Sequence, residues 1–328
     1  MKKPTKPVTT RAVLSLTLAV AALTGAVLPQ SAIAAAPMST AAVPGFYRMM
    51  LGDFEVTVVS DGTVALPMNQ LLRNIAAAKL DEALARNFLS NPVQTSVNTF
   101  LINTGEKLVL IDTGAGKFFG PTLGNMLNNL KAAGYKPEQV DEIYITHMHS
   151  DHVGGLLSDG AIAFPNAVIR GDKKDADVWF SQAAMDAAPD AAKGTFKNAM
   201  TVFSAYAAAG KYKPFEGNTE LVKGVRASSS YGHTPGHTTY VVESKGQKLV
   251  LIGDLMHLAA VQFDDPTVTI AFDSNSDNAK AERQNAYAQA AKDGAILGVT
   301  HVSFPGLGRV VPKASGYSWL PVNYTAGK

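Results

Sequence analysis

The chain has 328 residues, of which 46% are hydrophobic and 17% charged, so it has the composition of a folded globular protein with a substantial core. It contains no cysteine, which excludes disulfides, thiolate nucleophiles and cysteine-ligated metal sites. Any metal site must therefore be built from histidine and carboxylate side chains.

The first 34 residues have the pattern of a secretory signal peptide. Four basic residues precede an apolar run over residues 12–28, and the small-residue sequence Ala32-Ile33-Ala34 follows it. We expect cleavage after Ala34 and a mature domain over residues 35–328; the alternative is an uncleaved membrane anchor. A cysteine-free exported chain fits a periplasmic or secreted location in a bacterium.

The charge of the mature chain argues against a nucleic-acid partner. The whole chain has 29 basic and 27 acidic residues, and removal of the four basic residues of the signal segment leaves 25 basic residues. The mature chain is then close to neutral and lacks a broad positive surface. We expect neither a nucleic-acid partner nor a membrane partner after cleavage.

Residues 44–67 predict an initial pair of strands with a turn at Asp61-Gly62. After this pair, two segments of the chain resemble each other. The segments are residues 99–114 and 239–255. In each, an alternating strand meets a glycine-containing turn and then a strand reading Lys-Leu-Val-Leu-Ile, which leads to Asp112 or Asp254. This pattern predicts two similar β-hairpins.

A helix and a further strand follow each hairpin. Apolar residues spaced by three and four predict helices over residues 121–133 and 279–292, and the strands after them run into His147 and His301. Between the halves, residues 172–210 are alanine-rich and predicted to be helical. The repeated order favours the α/β class, as a four-layer αββα sandwich of two similar halves whose polar strand ends gather at one edge.

Residues 147–152 contain the pattern H-x-H-x-D-H at the end of a predicted strand. A tight turn there can present His147 and His149 to one divalent cation, while Asp151 and His152 face a second position nearby. Closely spaced imidazoles with an anionic oxygen are the donors that two such cations require. The segment therefore predicts a dinuclear metal site.

The other histidines and one aspartate supply further candidate ligands. His233 and His237 lie in the glycine- and proline-restricted loop G-H-T-P-G-H, and His301 ends the last inner strand. Asp254 can bridge two cations through its two carboxylate oxygens. Taken singly, each of these residues could equally be a buried core histidine or a turn-forming aspartate. Together with the motif and the repeat, they favour a shared site.

These motifs and halves resemble the metallo-β-lactamase superfamily over most of the mature chain. The resemblance implies two metal sites joined by a bridging carboxylate and a bridging hydroxide. The implied ligands are His147, His149 and His233 at one site, Asp151, His152 and His301 at the other, and Asp254 between them. Asp112 and His237 are implied as residues that orient the ligands from behind.

Within the superfamily, the stretches that carry a narrower likeness are residues 44–49, 140–149, 233–243, 260–266 and 303–306. They look like methyl parathion hydrolase, and the departures from it resemble the related dihydrocoumarin hydrolases. This likeness implies an aromatic pocket for the leaving group and a polar contact beside the metals. The implied substrate-binding residues are Phe119, Trp179, Phe196, His257, Ile270 and Phe272; a one-residue gap leaves Thr195 as the alternative to Phe196. Three of them, His257, Ile270 and Phe272, replace small or apolar residues of the phosphotriesterase, which favours a planar lactone as the substrate.

The function that these residues favour is a dinuclear metal-dependent hydrolase that opens aromatic lactones or cleaves aryl esters, with weak phosphotriesterase activity. Two cations would lower the pKa of a bridging water to roughly 7, and Asp254 and His257 are the expected catalytic side chains. The alternatives are an organophosphate triesterase, an acyl-homoserine lactonase and a non-catalytic periplasmic metal-binding protein.

The expected cofactors are two divalent cations per chain. Zinc is the default, and manganese, iron or cobalt are alternatives because histidine and carboxylate donors accept all of them. The expected partner is a small-molecule ester or lactone, and the resemblance implies a homodimer.

Overall fold

Two mixed β-sheets form the centre of the computed structural model, which describes residues 1, 4, 36, 38–40 and 43–324. The predicted signal peptide, apart from positions 1 and 4, lies outside the described residues. The strands are β1 Phe46–Leu51, β2 Phe54–Leu66, β3 Leu72–Arg73, β4 Val93–Asn103, β5 Leu108–Ile111, β6 Glu142–Tyr144, β7 Leu157–Ser158, β8 Ala161–Ile162, β9 Val168–Arg170, β10 Thr219–Val222, β11 Val225–Ser229, β12 Thr238–Ser244, β13 Gln247–Leu251, β14 Thr269–Ile270, β15 Ile296–Gly298, β16 Leu307–Pro312 and β17 Tyr317–Pro321.

The predicted duplication is present in the strand pairing. One sheet has the order β1-β2-β4-β5-β6-β9, and the other has the order β10-β11-β12-β13-β15-β16-β17. In the first sheet β5 pairs antiparallel with β4 and parallel with β6. In the second sheet β13 pairs antiparallel with β12 and parallel with β15, so both halves repeat one arrangement.

Nine α-helices lie among the described residues. They are α1 Met68–Leu71, α2 Ala77–Arg86, α3 Met126–Ala132, α4 Ser150–Val153, α5 Lys173–Trp179, α6 Gln182–Ala187, α7 Asp190–Ala208, α8 Ala259–Gln262 and α9 Ser276–Asp293. The segment predicted as helical between the halves is thus divided into α5, α6 and α7. The Asn275 side chain caps the start of α9, and Gly294, with a φ of 64°, ends it in the left-handed region.

Three buried clusters separate four layers. Successive residues of β5 point to opposite faces: Val109 packs between the sheets with Leu249, whereas Leu110 packs outward against helical residues such as Phe203. On the other side, Tyr287 of α9 packs on the outer face of the second sheet. Both faces of these strands are covered, which explains their nearly continuous apolar sequence. The predicted αββα sandwich is confirmed.

The initial strand pair differs from its prediction. The turn between β1 and β2 lies at Gly52, whose φ is 59°, and not at Asp61-Gly62. Asp61 lies inside β2, where the register with β4 shifts between Ser60 and Gly62. The buried Asp61 carboxylate accepts hydrogen bonds from a neighbouring loop, so this Asp-Gly pair forms a bulge instead of a turn.

The first predicted helix also begins later than expected. Residues 121–125 are not helical, and α3 starts at Met126, whose backbone N–H donates to Asp61 Oδ1 at 3.0 Å. The Gly124 N–H donates to Asp61 Oδ2 at 3.0 Å, so the carboxylate holds this segment outside a helix. Within the described part of the chain, no helix has the length and apolar character needed to cross a membrane.

Candidate metal centre

The predicted ligands lie together at the edge of the sandwich where the inner strands end. His147 and His149 follow β6, and Asp151 and His152 lie in α4. The other three come from separate segments: the loop between β11 and β12, the 3₁₀ turn after β13, and the residues after β15. These are His233, Asp254 and His301. Their side-chain donor atoms form two groups, in each of which all atoms lie within 4.8 Å of one another.

The first cluster consists of three imidazoles and one carboxylate oxygen. The Nδ1 atom of His149 lies 3.0 Å from His147 Nε2 and 3.1 Å from His233 Nε2. The Oδ2 atom of Asp254 lies 3.6 Å from His147 Nε2 and 3.4 Å from His233 Nε2. Four donor atoms from three distant parts of the chain therefore converge on one point.

The second cluster uses the other oxygen of the same carboxylate. Asp254 Oδ1 lies 3.1 Å from His152 Nε2 and 3.1 Å from His301 Nε2. Asp151 Oδ2 completes the group at 3.7 Å from the His152 nitrogen and 3.5 Å from the His301 nitrogen. Asp254 thus belongs to both clusters: Oδ1 contacts the second, and Oδ2, which faces the first, also lies 3.2 Å from His301 Nε2.

These donor sets fit divalent cations. Four ligand atoms at 2.0–2.1 Å from a tetrahedral zinc ion lie about 3.3 Å apart, close to the spacings of both clusters. Among the described residues, the buried atoms His152 Nε2 and Asp254 Oδ1 have no hydrogen-bond partner. Unpartnered buried polar atoms are costly, and a cation between them would satisfy both.

Burial favours the neutral form of the first cluster's imidazoles. It lowers the pKa of His147 and His233 well below the ordinary histidine value and lowers that of His149 to about 4. Neighbouring imidazoles lower the pKa of His147 further. The neutral ring is the form whose free nitrogen binds a metal.

Carboxylates dominate the electrostatics of the second cluster. Burial alone would lower the pKa of His152 and His301, but Asp254 and Asp151 outweigh burial and raise both, with help from Asp112 at His152. Burial would raise the pKa of Asp254, but the surrounding imidazoles, His301 foremost, hold it well below its usual range. The cluster therefore favours a positive charge, which a cation would supply.

Acceptors behind the ligands fix their ring orientations. Asp112 Oδ2 lies 2.8 Å from His152 Nδ1, and Asp112 also accepts from the backbone and hydroxyl of Thr146. The Ser96 carbonyl lies 2.9 Å from the His301 Nδ1. Because each Nδ1 faces an acceptor, the Nε2 lone pair of that ring is directed toward the cluster.

His237 lies behind the site, against the backbone of the shared carboxylate. Its Nε2 accepts a hydrogen bond from the Asp254 N–H at 3.1 Å, and its Nδ1 lies 2.8 Å from Ser230 Oγ. A Cβ at Gly253 would lie 2.7 Å from His237 Nε2, and Gly253 has a φ of 50°. Glycine is therefore required beside Asp254 for this close approach.

Four residues around the site were missed by the sequence reasoning. Asp273 Oδ1 lies 2.9 Å from His233 Nδ1, and Asp175 accepts from the backbone of two ligand loops. Gln262 Oε1 accepts from the His257 N–H at 2.8 Å. Arg283, fully buried, donates to the Leu255 carbonyl next to Asp254. None of the four lies in a short motif, so no local pattern indicates them.

A cavity of about 570 Å³ opens above the two clusters. Asp254, His149 and His301 lie at its base, and apolar side chains form most of its walls. Prominent among the walls are Phe119, Trp179, Phe272, Leu66 and Leu123. The Trp179 ring meets the His149 ring edge-on, with centroids 5.2 Å apart.

Two predicted pocket residues do not line this cavity. Phe196 is buried behind the wall, with its ring centroid 4.5 Å from that of Trp179, and Thr195 faces the cavity instead. Ile270 is buried in a separate apolar cluster with Met68. Of the two alternatives at the third aromatic position, the structure therefore places Thr195 and not Phe196 on the cavity, and the side chains of Phe196 and Ile270 point into the core.

His257 lies at the base of the cavity and against the clusters. Its Nε2 is 3.0 Å from Asp254 Oδ2, and its ring stacks on that of His301 with centroids 5.1 Å apart. It is a member of neither donor group. The imidazole therefore contacts the shared carboxylate from the cavity side without belonging to either donor group.

The sequence matches the model of the metallo-beta-lactamase superfamily over residues 93–301. The chain belongs to this superfamily. The match runs from the first residue of β4 to His301, so it includes both similar halves and every member of the two clusters. As a member of the metallo-beta-lactamase superfamily, the chain is a metal-dependent hydrolase.

Individual relatives of this superfamily member cover most of its length. A structure of the hydrolase AbOPH is 35% identical, with a TM-score of 0.83 over 87% of this chain and 100% of that one. AidC, described as a dizinc quorum-quenching lactonase, is 29% identical, with a TM-score of 0.79 over 86% of this chain and 98% of that one. An N-acyl homoserine lactonase of Bacillus cereus is 28% identical over 57% of this chain and 73% of its own length.

Proposed function

We propose that this chain is a dinuclear lactonase and aryl esterase that acts on carboxylic esters with an aromatic ring. The first cluster would hold one divalent cation and the second cluster would hold another. The observation that supports this most strongly is the division of the Asp254 carboxylate, whose two oxygens face different clusters at the base of an apolar cavity.

The reaction needs a nucleophile and a stabilised oxyanion at the carbonyl carbon. When bound, two such cations make a nucleophilic water available near neutral pH and polarise the carbonyl oxygen. His147, His149 and His233 would hold one of them, Asp151, His152 and His301 the other, and Asp254 would contribute to both sites. His257 lines the cavity with its Nε2 3.0 Å from Asp254 Oδ2, so its imidazole is placed to take up the proton that the attacking water releases and to return it to the leaving group.

The cavity walls suit an aromatic or otherwise apolar substrate. The side chains of Phe119, Trp179 and Phe272 offer ring faces and edges, and the apolar lining excludes water around the reacting ester. The volume of about 570 Å³ is in the range of pockets that hold drug-sized ligands. Space alone therefore does not restrict the site to a small bicyclic lactone.

An N-acyl homoserine lactone is the second candidate substrate, because both AidC and the Bacillus cereus relative are named as lactonases for such compounds or for quorum quenching. Its acyl chain would lie along the same apolar walls. One argument against a phosphotriester substrate was that Ile270 narrows the site. Because Ile270 does not line the cavity, this argument no longer holds for that residue. Likeness to methyl parathion hydrolase stays a prediction.

The test is steady-state kinetics of the zinc-loaded protein on dihydrocoumarin, phenyl acetate, an N-acyl homoserine lactone and a methyl phosphotriester. We expect the highest kcat/KM on dihydrocoumarin. A higher value on the homoserine lactone would establish the second candidate, and a higher value on the phosphotriester would refute the proposal. If the protein bound two metal ions but hydrolysed none of these esters, the alternative of a non-catalytic metal-binding protein would be supported.

We further propose zinc as the metal, export with removal of residues 1–34, and assembly as a homodimer. Zinc suits donor sets of histidine and aspartate, and AidC is named a dizinc enzyme. N-terminal sequencing of exported protein should begin at Ala35, and light scattering should give twice the chain mass. A retained leader or a monomer would refute the respective proposal.

A further inference from the structure

Asp175 is a buried carboxylate that joins two loops from opposite halves of the fold. It lies in the first turn of α5 and is only 1% exposed. Its Oδ2 accepts from the Met148 N–H at 2.9 Å, and its Oδ1 accepts from the Gly236 N–H at 2.6 Å. Met148 belongs to the loop after β6, and Gly236 to the loop before β12.

Both loops lead to ligands of the same cluster. Met148 lies between His147 and His149, and Gly236 follows His233 by three residues. These are the three imidazoles of the first cluster. The corresponding anchors of the second cluster are different groups, since Asp112 faces the ring of His152 and the Ser96 carbonyl faces the ring of His301.

We propose that Asp175 is a positioning residue for the first cation site and fixes the distance between its two histidine loops. This inference rests on the proposed dinuclear function. Loss of the Asp175 contacts should therefore weaken metal binding at the first cluster and leave the second cluster's own orienting contacts in place.

The packing around Asp175 requires both a carboxylate and a glycine. Two backbone N–H groups point at one side chain, so an amide in its place would direct its NH₂ group at one of these donors. A Cβ at Gly236 would lie 2.4 Å from the Asp175 N atom, so a larger residue there would force the loop away. Each change disturbs the same contact from a different side.

The first experiment measures zinc stoichiometry and chelator competition for the full chain and for Asp175→Asn. We expect two zinc ions in the unchanged protein. In the variant, the affinity for one ion should fall about 10- to 100-fold, while the other is retained. Asp177→Asn is the matched control, because Asp177 lies on the same helix, is exposed and pairs with Lys173. The control should keep both affinities.

A second substitution in the Asp175→Asn background identifies the weakened site. Adding His301→Ala should remove the remaining tightly bound ion, whereas adding His149→Ala should leave it. Unchanged affinities in Asp175→Asn, or equal weakening of both ions, would overturn the proposal. If the unchanged protein itself bound fewer than two ions, the dinuclear function would fail instead.

Gly236→Ala keeps the proposal testable if Asp175→Asn does not fold. It retains the carboxylate and every ligand, so a selective loss of one ion supports the positioning role. A folded Gly236→Ala protein that binds both ions normally would contradict it. Thermal unfolding with and without metal separates this effect from general destabilisation. If the substitution acts through metal binding, the melting temperatures of the variant and the unchanged protein should differ less without metal than with it.

Discussion

Asp254 follows the end of β13. The His237 ring contacts its backbone N–H from behind, and its carboxylate faces the two clusters in front. Burial penalises its charge, and the imidazoles around it offset that penalty. An isolated buried carboxylate would take up a proton. The surrounding histidines therefore keep Asp254 anionic, as a ligand shared by two cations must be.

Replacement of His257 by leucine separates catalysis from metal binding. Because His257 is in neither donor group, His257→Leu should retain two metal ions. Its kcat should fall by roughly 100-fold, since a general acid–base group at Asp254 is removed. Metal analysis and the separate kcat and KM values on dihydrocoumarin check this.

Phe272→Leu is the matched control for that substitution, because Phe272 lines the same cavity but forms part of its apolar wall. It should raise KM more than it lowers kcat. The assigned role of His257 would be wrong if His257→Leu kept a normal kcat or lost a metal ion.

The structure brings together the predicted residues that are close in sequence or that end a repeated strand. The spacing from His147 to His152 is local, and Asp254 and His301 could be found because each ends a strand of the duplicated pattern. Asp175 and Asp273 could not be found, because their partners are backbone groups or a ring on distant loops. Phe196 was misplaced because helix spacing alone does not say which face meets the cavity.

At the scale of elements, the segment from residue 113 to residue 126 contributes Phe119 and Leu123 to the cavity wall, and the Asp61 side chain binds this segment at three backbone positions. Asp61 accepts from the N–H groups of Ala115, Gly124 and Met126, at 2.9, 3.0 and 3.0 Å. Phe119 and Leu123, which face the cavity, lie between these attachment points. The bulge in β2 therefore sets the position of a substrate-binding wall.

The variant Asp61→Ala should release this wall. Three backbone donors would lose their acceptor, which should lower the free energy of unfolding by about 3 kcal/mol. KM on dihydrocoumarin should rise several-fold while kcat changes less, because the metal ligands are on other segments. Denaturant unfolding and kinetics measure the two effects.

The control for this variant is Asp53→Ala, since Asp53 lies in the β1–β2 turn and forms an exposed ion pair with Lys245. Asp53→Ala should change neither the free energy of unfolding nor the KM on dihydrocoumarin appreciably. A normal KM in a folded Asp61→Ala protein would show that the wall does not depend on the bulge.

Element-level prediction was most accurate for the two hairpins, because their alternating and continuous apolar patterns reflect burial on one or both faces. It failed for the turn of the first strand pair and for the start of α3. Both failures involve Asp61, whose long-range hydrogen bonds override the local Asp-Gly turn preference and the helical spacing.

At the scale of the whole molecule, the repeat explains why the site is shared by both halves. The first half supplies the 147–152 segment, the second supplies the other three ligands, and each cluster takes donors from both. Bound cations would therefore link the two sheets at one edge, and metal binding would add to the stability of the folded chain.

Chelation should consequently lower the melting temperature of the zinc-loaded protein. Each site occupied at 1,000 times its Kd stabilises the fold by about 4 kcal/mol, so removal of two ions should lower Tm by on the order of 10 °C. Differential scanning calorimetry with and without chelator measures the shift. A double variant, His149→Ala with His301→Ala, should show little shift, and an unchanged Tm in the original protein would contradict the link between halves.

The most direct test of the dinuclear site is an anomalous-scattering map from crystals of the zinc-loaded protein, recorded on both sides of the zinc absorption edge. We predict two zinc peaks per chain, one among His147, His149 and His233, the other among Asp151, His152 and His301, with one oxygen of Asp254 toward each. A single peak, or peaks away from Asp254, would contradict the account.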